Sequence, residues 1–370
     1  MKSETSPLVP DLDRASGQFR AAYQVLDQAI AARAFPGCAF GVLAGDGIVL
    51  QDARGRFTYE DDAAAVAAET AFDVASLTKV AATTAAAMLL YQRGKIDLET
   101  PAGELLPGFV VGRAPGDLAR HVTLRNLLAH NSGLPGYVEF FRTAKTPASL
   151  FRACLQLPLA AAPGARAEYS DPGFILMGKA LTVLVREPLP AWVKREVYEP
   201  LGMGATRFCP PRSSWRAIPP TEEDATFRNR RIQGEVQDEN AWVLKGAAGH
   251  AGLFSNVPDL LRYAREILHA GTSSSILFKQ ETVEFFAQRQ EPAGSTRAIG
   301  WDTPSNNSSA GKHFALHSIG HLGYSGCSLW IDLEARVAVV LLTNRTWPDR
   351  SSQLIKTVRP AFHDAVREAL

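Results

Sequence analysis

The stretch GHLGYSGCSLWIDLEARVAVVLLTNR, residues 320–345, decides the fold because it contains two or three short apolar runs separated by turn signals. A turn at Asp332–Ala335 joins LWI to VAVVLL, which predicts an antiparallel meander close to the C-terminus. Close to the N-terminus, two apolar runs flank Gly45-Asp46-Gly47, a strong signal for a β-hairpin. We therefore expect one antiparallel sheet built from both ends of the chain.

The segment between these strands has mostly helical patterns, so the predicted fold class is α/β (α+β), with an antiparallel sheet flanked by helices and an inserted all-helical region. The sheet domain is assigned to residues 15–74 and 245–370. The helical region is assigned to residues 75–244. Its last part, residues 205–244, contains two Pro-Pro pairs and weak periodicity, which predicts a long loop at the rim of a site.

Individual helices are predicted from apolar periodicity and from cap residues. Ser16 is expected to cap a first helix, and Ser255 is expected to cap PDLLRYAREIL. Residues 76–93 are apolar nearly all round and end at Gly94, so this helix is expected inside the molecule. The last segment, SQLIKTVRPAFHDAVREAL, is predicted to be a helix interrupted at Pro360.

Composition excludes several classes of protein. The 370 residues carry a net charge of +1 and are 46% hydrophobic, which is ordinary globular composition without the basic stripe of a nucleic-acid binder. No window is apolar enough for a membrane span, and the first residues have no secretory pattern. We expect a cytoplasmic protein, or a periplasmic one if a leader has been removed. The four cysteines lack C-x-x-C pairing and predict free thiols, with neither a metal site nor a disulfide framework.

A hydroxyl and an amine stand three positions apart in FDVASLTKVAATTAAAMLL, residues 72–90. On a helix, Ser76 and Lys79 share one face, and the first turn offers free N–H groups that favour negative charge. A lysine within an apolar helix is costly unless it has a partner or loses its proton, and both outcomes suit proton transfer. The alternative is an N-cap serine followed by a lysine that reaches solvent.

Three motifs in order make the pattern specific. The Ser-x-x-Lys at 76–79 is followed by Tyr169-Ser170-Asp171 in the middle of the chain and by His321-Leu322-Gly323 on a late strand. Together with LLAHNSGLP and AAGHAGLFSNVPDLLRYA, they resemble the serine β-lactamase and penicillin-binding protein superfamily over residues 20 to 345. The similarity is greatest to its class C β-lactamase, D-Ala-D-Ala carboxypeptidase and family VIII esterase group. A β-lactamase/transpeptidase-like fold is what this resemblance implies.

The resemblance also implies roles for individual residues. Ser76 would be the acylated nucleophile, Lys79 would accept its proton or hold the local charge, and Tyr169 would act as base and then as acid. His321 and Gly323 would lie on the sheet-edge strand beside the substrate. The backbone N–H of Tyr324 would form an oxyanion hole with that of Ser76. The implied activity is a serine hydrolase without cofactor, acting on a small ester, a β-lactam or a peptide; the oligomeric state stays open.

Two residues depart from the family pattern. The second motif ends in Asp171 instead of asparagine, and a carboxylate cannot donate a hydrogen bond to a substrate carbonyl. Asp171 would instead hold Lys79 protonated, leaving Tyr169 as the base, or attract a substrate amine; an Asx-turn before Pro172 is the structural alternative. His321 replaces the lysine of many β-lactamases and removes a permanent cation, although an imidazole titrates near neutral pH. Both changes favour esters or peptides over β-lactams.

Three other classes of protein match parts of this pattern. His317 and His321 would lie about 13 Å apart along a strand, too far for one metal ion. The nearest G-x-S-x-G match, residues 323–327, fails at its last position and is not an elbow between strand and helix. A non-catalytic penicillin-binding sensor or scaffold would keep Ser76 and lose deacylation, and it remains the alternative.

Overall fold

The structure is a computed structural model that describes residues 17–370. Helices are numbered in chain order, and their bounds are α1 Arg20–Ala31, α2 Ala85–Gln92, α3 Ala102–Leu105, α4 Leu124–Leu128, α5 Phe140–Thr143, α6 Pro147–Leu155, α7 Asp171–Val185, α8 Leu189–Val193, α9 Glu239–Val243, α10 Val257–Leu268, α11 Gln280–Ala287 and α12 Ile355–Glu368. The strands are β1 Gly37–Ala44, β2 Gly47–Gly55, β3 Phe72–Asp73, β4 Arg207–Phe208, β5 Glu222–Asp224, β6 Arg230–Ile232, β7 Leu253–Ser255, β8 Ile319–Leu322, β9 Ser328–Asp332 and β10 Val337–Thr343.

The main sheet has five strands in the order β2-β1-β10-β9-β8, and every pairing in it is antiparallel. The N-terminal hairpin therefore lies against the C-terminal meander, as the sequence predicts. Strand β10 is buried along its whole length because it lies at the centre of the sheet. Strand β8 lies at the edge, where Gly320 forms a bridge with Asp302 and the strand's last residues, His321 and Leu322, line the cleft described below. The fold is mixed α/β, with antiparallel sheets flanked by helices.

Each face of the sheet is covered by apolar helices. On one face, α1 and α12 pack against the sheet through Phe19, Leu26, Phe40 and Phe362. On the other face, α10 joins a larger core that continues into the helical region. The predicted capping of α1 by Ser16 lies outside the described residues.

A small second sheet of order β3-β7-β4 leads into the predicted nucleophile segment. After β3, the chain turns at Ala75, which has a φ of +47°, and enters a π-helical segment over Lys79–Thr84 that continues as α2. All six residues of the π segment are buried, and Gly94, with a φ of +63°, follows the end of α2. The predicted all-apolar helix is therefore internal, but its first part has π instead of α geometry.

Two local predictions are wrong. Asn256, not Ser255, caps α10, because the Asn256 side chain accepts from the Asp259 N–H while Ser255 ends β7. Pro360 does not interrupt the last helix, because α12 runs through it from Ile355 to Glu368. A proline removes one N–H donor and crowds the carbonyl four residues earlier, and tertiary packing of the buried face outweighs that cost here.

The segment 205–244 is more ordered than a long loop. It contains β4, a 3₁₀ helix at Arg212–Ala217, the two-stranded ribbon of β5 and β6, and α9. The buried Arg228 guanidinium joins the ribbon by donating to Asp224 Oδ2 at 2.9 Å and to the backbone carbonyls of Val236 and Gln237. Asp238 and Glu239 of this segment line the cleft.

Candidate active site

The side chains of Ser76, Lys79 and Tyr169 form a closed triangle of hydrogen bonds. Lys79 Nζ lies 2.9 Å from Ser76 Oγ and 2.6 Å from the phenol oxygen of Tyr169, and the Tyr169 hydroxyl lies 2.8 Å from Ser76 Oγ. Lys79 is fully buried, whereas Ser76 and Tyr169 are partly exposed and line the cleft. The geometry thus gathers a reachable alcohol, a buried amine and a phenol.

The start of α7 places Tyr169 in this triangle. Ser170 caps the helix by accepting from the Gly173 N–H at 3.1 Å, and its own N–H donates to Nδ1 of His130 at 2.9 Å. The His130 ring also packs against that of Tyr169, with 4.7 Å between centroids. His130 is therefore a residue that positions the Tyr169 loop.

Asp171 is the fourth member of the cluster. Its Oδ1 lies 2.7 Å from Lys79 Nζ, and its side chain is 14% exposed, so it faces the cleft while it contacts the amine. Burial lowers the pKa of Lys79, but the Asp171 carboxylate and the Tyr169 phenol outweigh it and raise that pKa above its usual value. Burial raises the pKa of Tyr169, against the opposing charge of Lys79. Both directions favour an ammonium on Lys79 and a neutral phenol on Tyr169 in the resting cluster.

The loop before β7 completes the shell around Lys79. The backbone carbonyl of His250 lies 3.3 Å from Lys79 Nζ, and the neighbouring carbonyl of Gly249 accepts from Thr83 at 2.6 Å. The His250 ring is held by Asp238, with 2.9 Å between Nε2 and Oδ1. His250 therefore contributes its backbone to the site, and its imidazole fastens the loop.

His321 stands in the site as a neutral ring. Its Nδ1 lies 2.8 Å from the carbonyl oxygen of Leu322, and since a carbonyl only accepts, Nδ1 carries the proton. Burial, together with the charges of Lys79 and Arg297, holds the pKa of His321 well below its usual range. The expectation that its charge titrates near neutral pH is therefore wrong, because the ring is 3% exposed and faces two cations.

The cleft above Ser76 has a volume of about 810 Å³. Gly323 and Tyr324 lie on its wall, on the turn between β8 and β9. Among the described residues, neither the N–H of Ser76 nor that of Tyr324 donates to a protein acceptor. Gly323 packs so closely on the segment leading to Ser76 that an added Cβ would lie 2.5 Å from the Val74 carbonyl oxygen.

Six of the seven sequence-predicted site residues thus line one cleft, the seventh, Lys79, is buried directly behind it, and their roles stay predictions. Sequence reasoning missed Asp238, whose helix α9 lies in the segment taken for a loop. It also missed Arg297, whose guanidinium lies 5.3 Å from the Tyr169 ring centroid and 3.4 Å from Asp302. No local pattern marks an arginine that becomes part of a site only when distant segments meet.

An antiparallel sheet beside helices, with Ser-x-x-Lys at a helix start and a tyrosine within reach, defines the serine β-lactamase and penicillin-binding protein superfamily. The chain belongs to the Beta-lactamase family, whose model matches residues 23–359.

Relatives and one solved structure agree with this assignment. The chain is 30% identical over 359 residues to an N-acetylmuramyl-L-alanine amidase of Bacillus subtilis, covering 87% of this chain and 80% of the relative. It is 28% identical over 344 residues to a protein of Salmonella typhimurium named putative D-alanyl-D-alanine carboxypeptidase, covering 84% and 79%. The fold is similar to that of EstCE1, described as a hydrolase with promiscuous acyltransferase activity, with a TM-score of 0.77, 22% identity and coverage of 96% and 100%.

Two further observations concern residues 17–370 only. None of the helices there combines the length and apolar character needed to cross a bilayer. No group of three or more histidine, cysteine, aspartate or glutamate side chains in that part of the chain is arranged to hold a metal ion.

Proposed function

We propose that the protein is a serine hydrolase that cleaves an amide or ester bond through an acyl-enzyme on Ser76. One observation supports this most directly: Ser76 Oγ lies at the cleft wall within 2.9 Å of Lys79 Nζ and 2.8 Å of the Tyr169 hydroxyl. A serine becomes a nucleophile when neighbouring groups can take up its proton, and these two groups are within reach. The N–H groups of Ser76 and Tyr324 would stabilise the oxyanion.

The hydrogen bonds within the cluster support a route for the Ser76 proton. Lys79 Nζ and the Tyr169 hydroxyl act as donors in this cluster, and the side-chain oxygen of Asp171 is an acceptor in contact with the amine. Its Oδ1 contacts the same nitrogen that contacts Ser76 Oγ. We propose that Lys79 passes a proton to Asp171 as it receives the proton of Ser76. With an asparagine in this position, the amine of Lys79 would itself have to act as the base. In this protein, we propose that Asp171 is the final acceptor of the proton.

The reaction balances on these groups. Ser76 Oγ forms a bond to the carbonyl carbon, and its proton enters the Lys79–Asp171 pair. As the bond from carbon to the leaving nitrogen or oxygen breaks, the Tyr169 hydroxyl protonates the leaving group and regains a proton from Lys79, which Asp171 reprotonates. In the second half, a water molecule attacks the Ser76 ester and gives its proton to the pair. The proton returns to Ser76 Oγ as the carboxylic acid product leaves.

Peptide amides are the proposed substrate class, with short esters as faster model substrates. Two relatives are named as an amidase and as a carboxypeptidase, and both names describe amide cleavage next to alanine. β-Lactams are expected to be poor substrates, because His321 is neutral and cannot supply the cation that attracts their carboxylate. Asp171 adds a negative charge beside the nucleophile and opposes the same carboxylate.

The test compares three substrates on one enzyme batch: a D-Ala-D-Ala peptide, a short-chain p-nitrophenyl ester and a chromogenic cephalosporin. We expect turnover of the ester and the peptide, slow or no turnover of the cephalosporin, and mass-spectrometric labelling of one serine by a fluorophosphonate. Ser76→Ala should abolish both turnover and labelling. Residues 309–312 also match Ser-x-x-Lys, so Ser309→Ala is the control and should change neither. Labelling that persists at full stoichiometry in Ser76→Ala would reject the nucleophile. Labelling without turnover of any substrate would favour a sensor.

A further inference from the structure

The turn between β8 and β9, residues 323–327, has all of its carbonyl groups bound by the protein. Arg359 donates to the carbonyls of Gly323 at 2.6 Å, Cys327 at 2.8 Å and Gly326 at 3.1 Å. Arg345 binds the remaining two carbonyls. Its Nε lies 2.8 Å from the carbonyl oxygen of Tyr324, and its backbone nitrogen lies 2.9 Å from the carbonyl oxygen of Ser325. The carbonyls therefore face two arginines, while the N–H of Tyr324 stays free of protein acceptors in the described chain.

Arg359 is unusual because it is a buried cation without an anion. It is 7% exposed on α12, and among the described residues no carboxylate forms an ion pair with it. Burial lowers the pKa of its guanidinium to about 10. Leaving a charge in this environment is costly, and an apolar side chain of similar length would satisfy the packing alone. The three hydrogen bonds that Arg359 donates to the 323–327 turn offset this cost.

The Gly323 carbonyl and the Tyr324 N–H belong to the same peptide group. A donor on the carbonyl oxygen draws electron density from the nitrogen, so the N–H becomes a stronger donor in its turn. A charged donor at 2.6 Å has the largest effect of this kind, because charge-assisted hydrogen bonds are roughly twice as strong as neutral ones. Arg359 is thus linked to the oxyanion hole through one peptide bond.

We propose that Arg359 is a positioning and polarising residue of the oxyanion hole, which fixes the 323–327 turn and strengthens the Tyr324 N–H toward the developing oxyanion. The proposal rests on the proposed acyl-enzyme at Ser76. Its effect belongs to the transition state, because the oxyanion is charged there and the substrate carbonyl is not. Arg359 lies at the wall of the cleft, and the role proposed for it acts through the 323–327 turn and not through contact with the reacting atoms.

The first test separates this role from a structural one by kinetics. Arg359→Met keeps the aliphatic stem and removes the charge, and we expect kcat for the p-nitrophenyl ester to fall about tenfold with KM nearly unchanged, since a donor is weakened instead of removed. The matched control is Arg367→Met on the same helix, whose guanidinium lies 3.2 Å from Asp332 and does not line the cleft. It should lose stability and keep native kcat. Equal losses of kcat in both variants would overturn the proposal.

The second test measures the strength of the hydrogen bond from the Tyr324 N–H to the carbonyl group of the acyl-enzyme. Acylation with an ester that carries ¹³C in its carbonyl group allows difference infrared spectroscopy of the Ser76 acyl-enzyme. A weaker oxyanion hole raises the carbonyl stretching frequency, so Arg359→Met and, to a smaller extent, Arg359→Lys should shift it upward while Arg367→Met does not. Arg359→Lys keeps the charge and serves if the Met variant fails to fold.

The outcomes are distinct. An unchanged frequency in folded Arg359 variants overturns the role of Arg359 alone. Failure of both Arg359 variants to fold assigns the residue to the fold and also overturns the proposal. If the native protein forms no acyl-enzyme on Ser76, the proposed function fails, and this inference fails with it.

Discussion

Asp171 is the residue that most clearly separates this site from the pattern with asparagine. Its 2.7 Å contact with Lys79 Nζ raises the pKa of a lysine that burial alone would lower. A buried amine and a carboxylate in contact form one proton-sharing unit, so the pH dependence of activity reports the pair instead of either group. In the proposed mechanism, replacing the carboxylate by an amide therefore changes which group acts as the base and not only its strength.

Asp171→Asn should move the acidic limb of the kcat/KM profile for the p-nitrophenyl ester to higher pH. The variant keeps only the amine as base, and amines titrate several pH units above carboxyl groups. In this variant no carboxylate opposes the effect of burial, so the pKa of Lys79 falls. The amine can then lose its proton as the pH rises, and activity should recover at higher pH. Asp302→Asn, on the same cleft but paired with Arg297, is the control with a native profile. An acidic limb that does not move in Asp171→Asn contradicts the proposed acceptor.

At the scale of elements, the site depends on how closely α7 approaches the loop that carries His250. A Cβ added to Gly178 of α7 would lie 2.7 Å from Gly249 Cα, a backbone atom that cannot turn aside. The same loop supplies the carbonyls of Gly249 and His250 to Thr83 and Lys79. A larger side chain on the helix at this point would therefore displace the carbonyl groups that accept from Thr83 and Lys79.

Gly178→Ala should destabilise the protein by about 1 kcal/mol, although alanine is the better helix former. The helix gains about 0.5–1 kcal/mol from the substitution, but overpacking against backbone costs about 1–3 kcal/mol. A shifted loop should also lower kcat/KM about tenfold, since small misplacements of reacting groups are costly. Urea unfolding and ester kinetics measure both effects, with Gly204→Ala, where an added Cβ meets nothing within 4 Å, as control. If Gly178→Ala is as stable and as active as the native protein, the loop that carries Gly249 and His250 can shift without affecting the site, and the prediction is wrong.

Elements with strong local signals were predictable, and those that depend on distant contacts were not. The hairpin at Gly45-Asp46 and the entry to α7 at Ser170 carry their own turn and cap chemistry, and the structure has both. The π segment at Lys79–Thr84 has no sequence signature, because a π turn differs from an α turn by one hydrogen-bond register. Arg359 looks like a surface residue of an amphipathic helix, and only the packing of α12 on the 323–327 turn buries it.

At the scale of the whole molecule, the two chain ends form one sheet and α12 closes over it. His363 of α12 is fully buried at this junction, where its Nε2 lies 3.2 Å from Ser328 Oγ of β9 and its Nδ1 lies 2.8 Å from the Ser309 carbonyl oxygen. Burial lowers the pKa of His363 to about 4. Since the pKa of an unfolded histidine is about 6.5, the unfolded chain binds this proton first when the pH falls. The packing of α12 on the sheet is therefore sensitive to acid.

His363→Gln should reduce the loss of stability on acidification between pH 7 and pH 5 by about 2 kcal/mol. The folded pKa lies below the unfolded one, so the stabilising contribution of the neutral ring is present above pH 6.5 and is lost as the pH falls toward 4. Glutamine keeps a polar group at the junction and has no proton to gain. The measurement is the free energy of unfolding by urea at both pH values, compared with His121→Gln, whose side chain is exposed and whose replacement should leave the difference unchanged. If the free energy of unfolding falls by the same amount on acidification in His363→Gln and in the native protein, protonation of His363 is not the cause of the acid sensitivity.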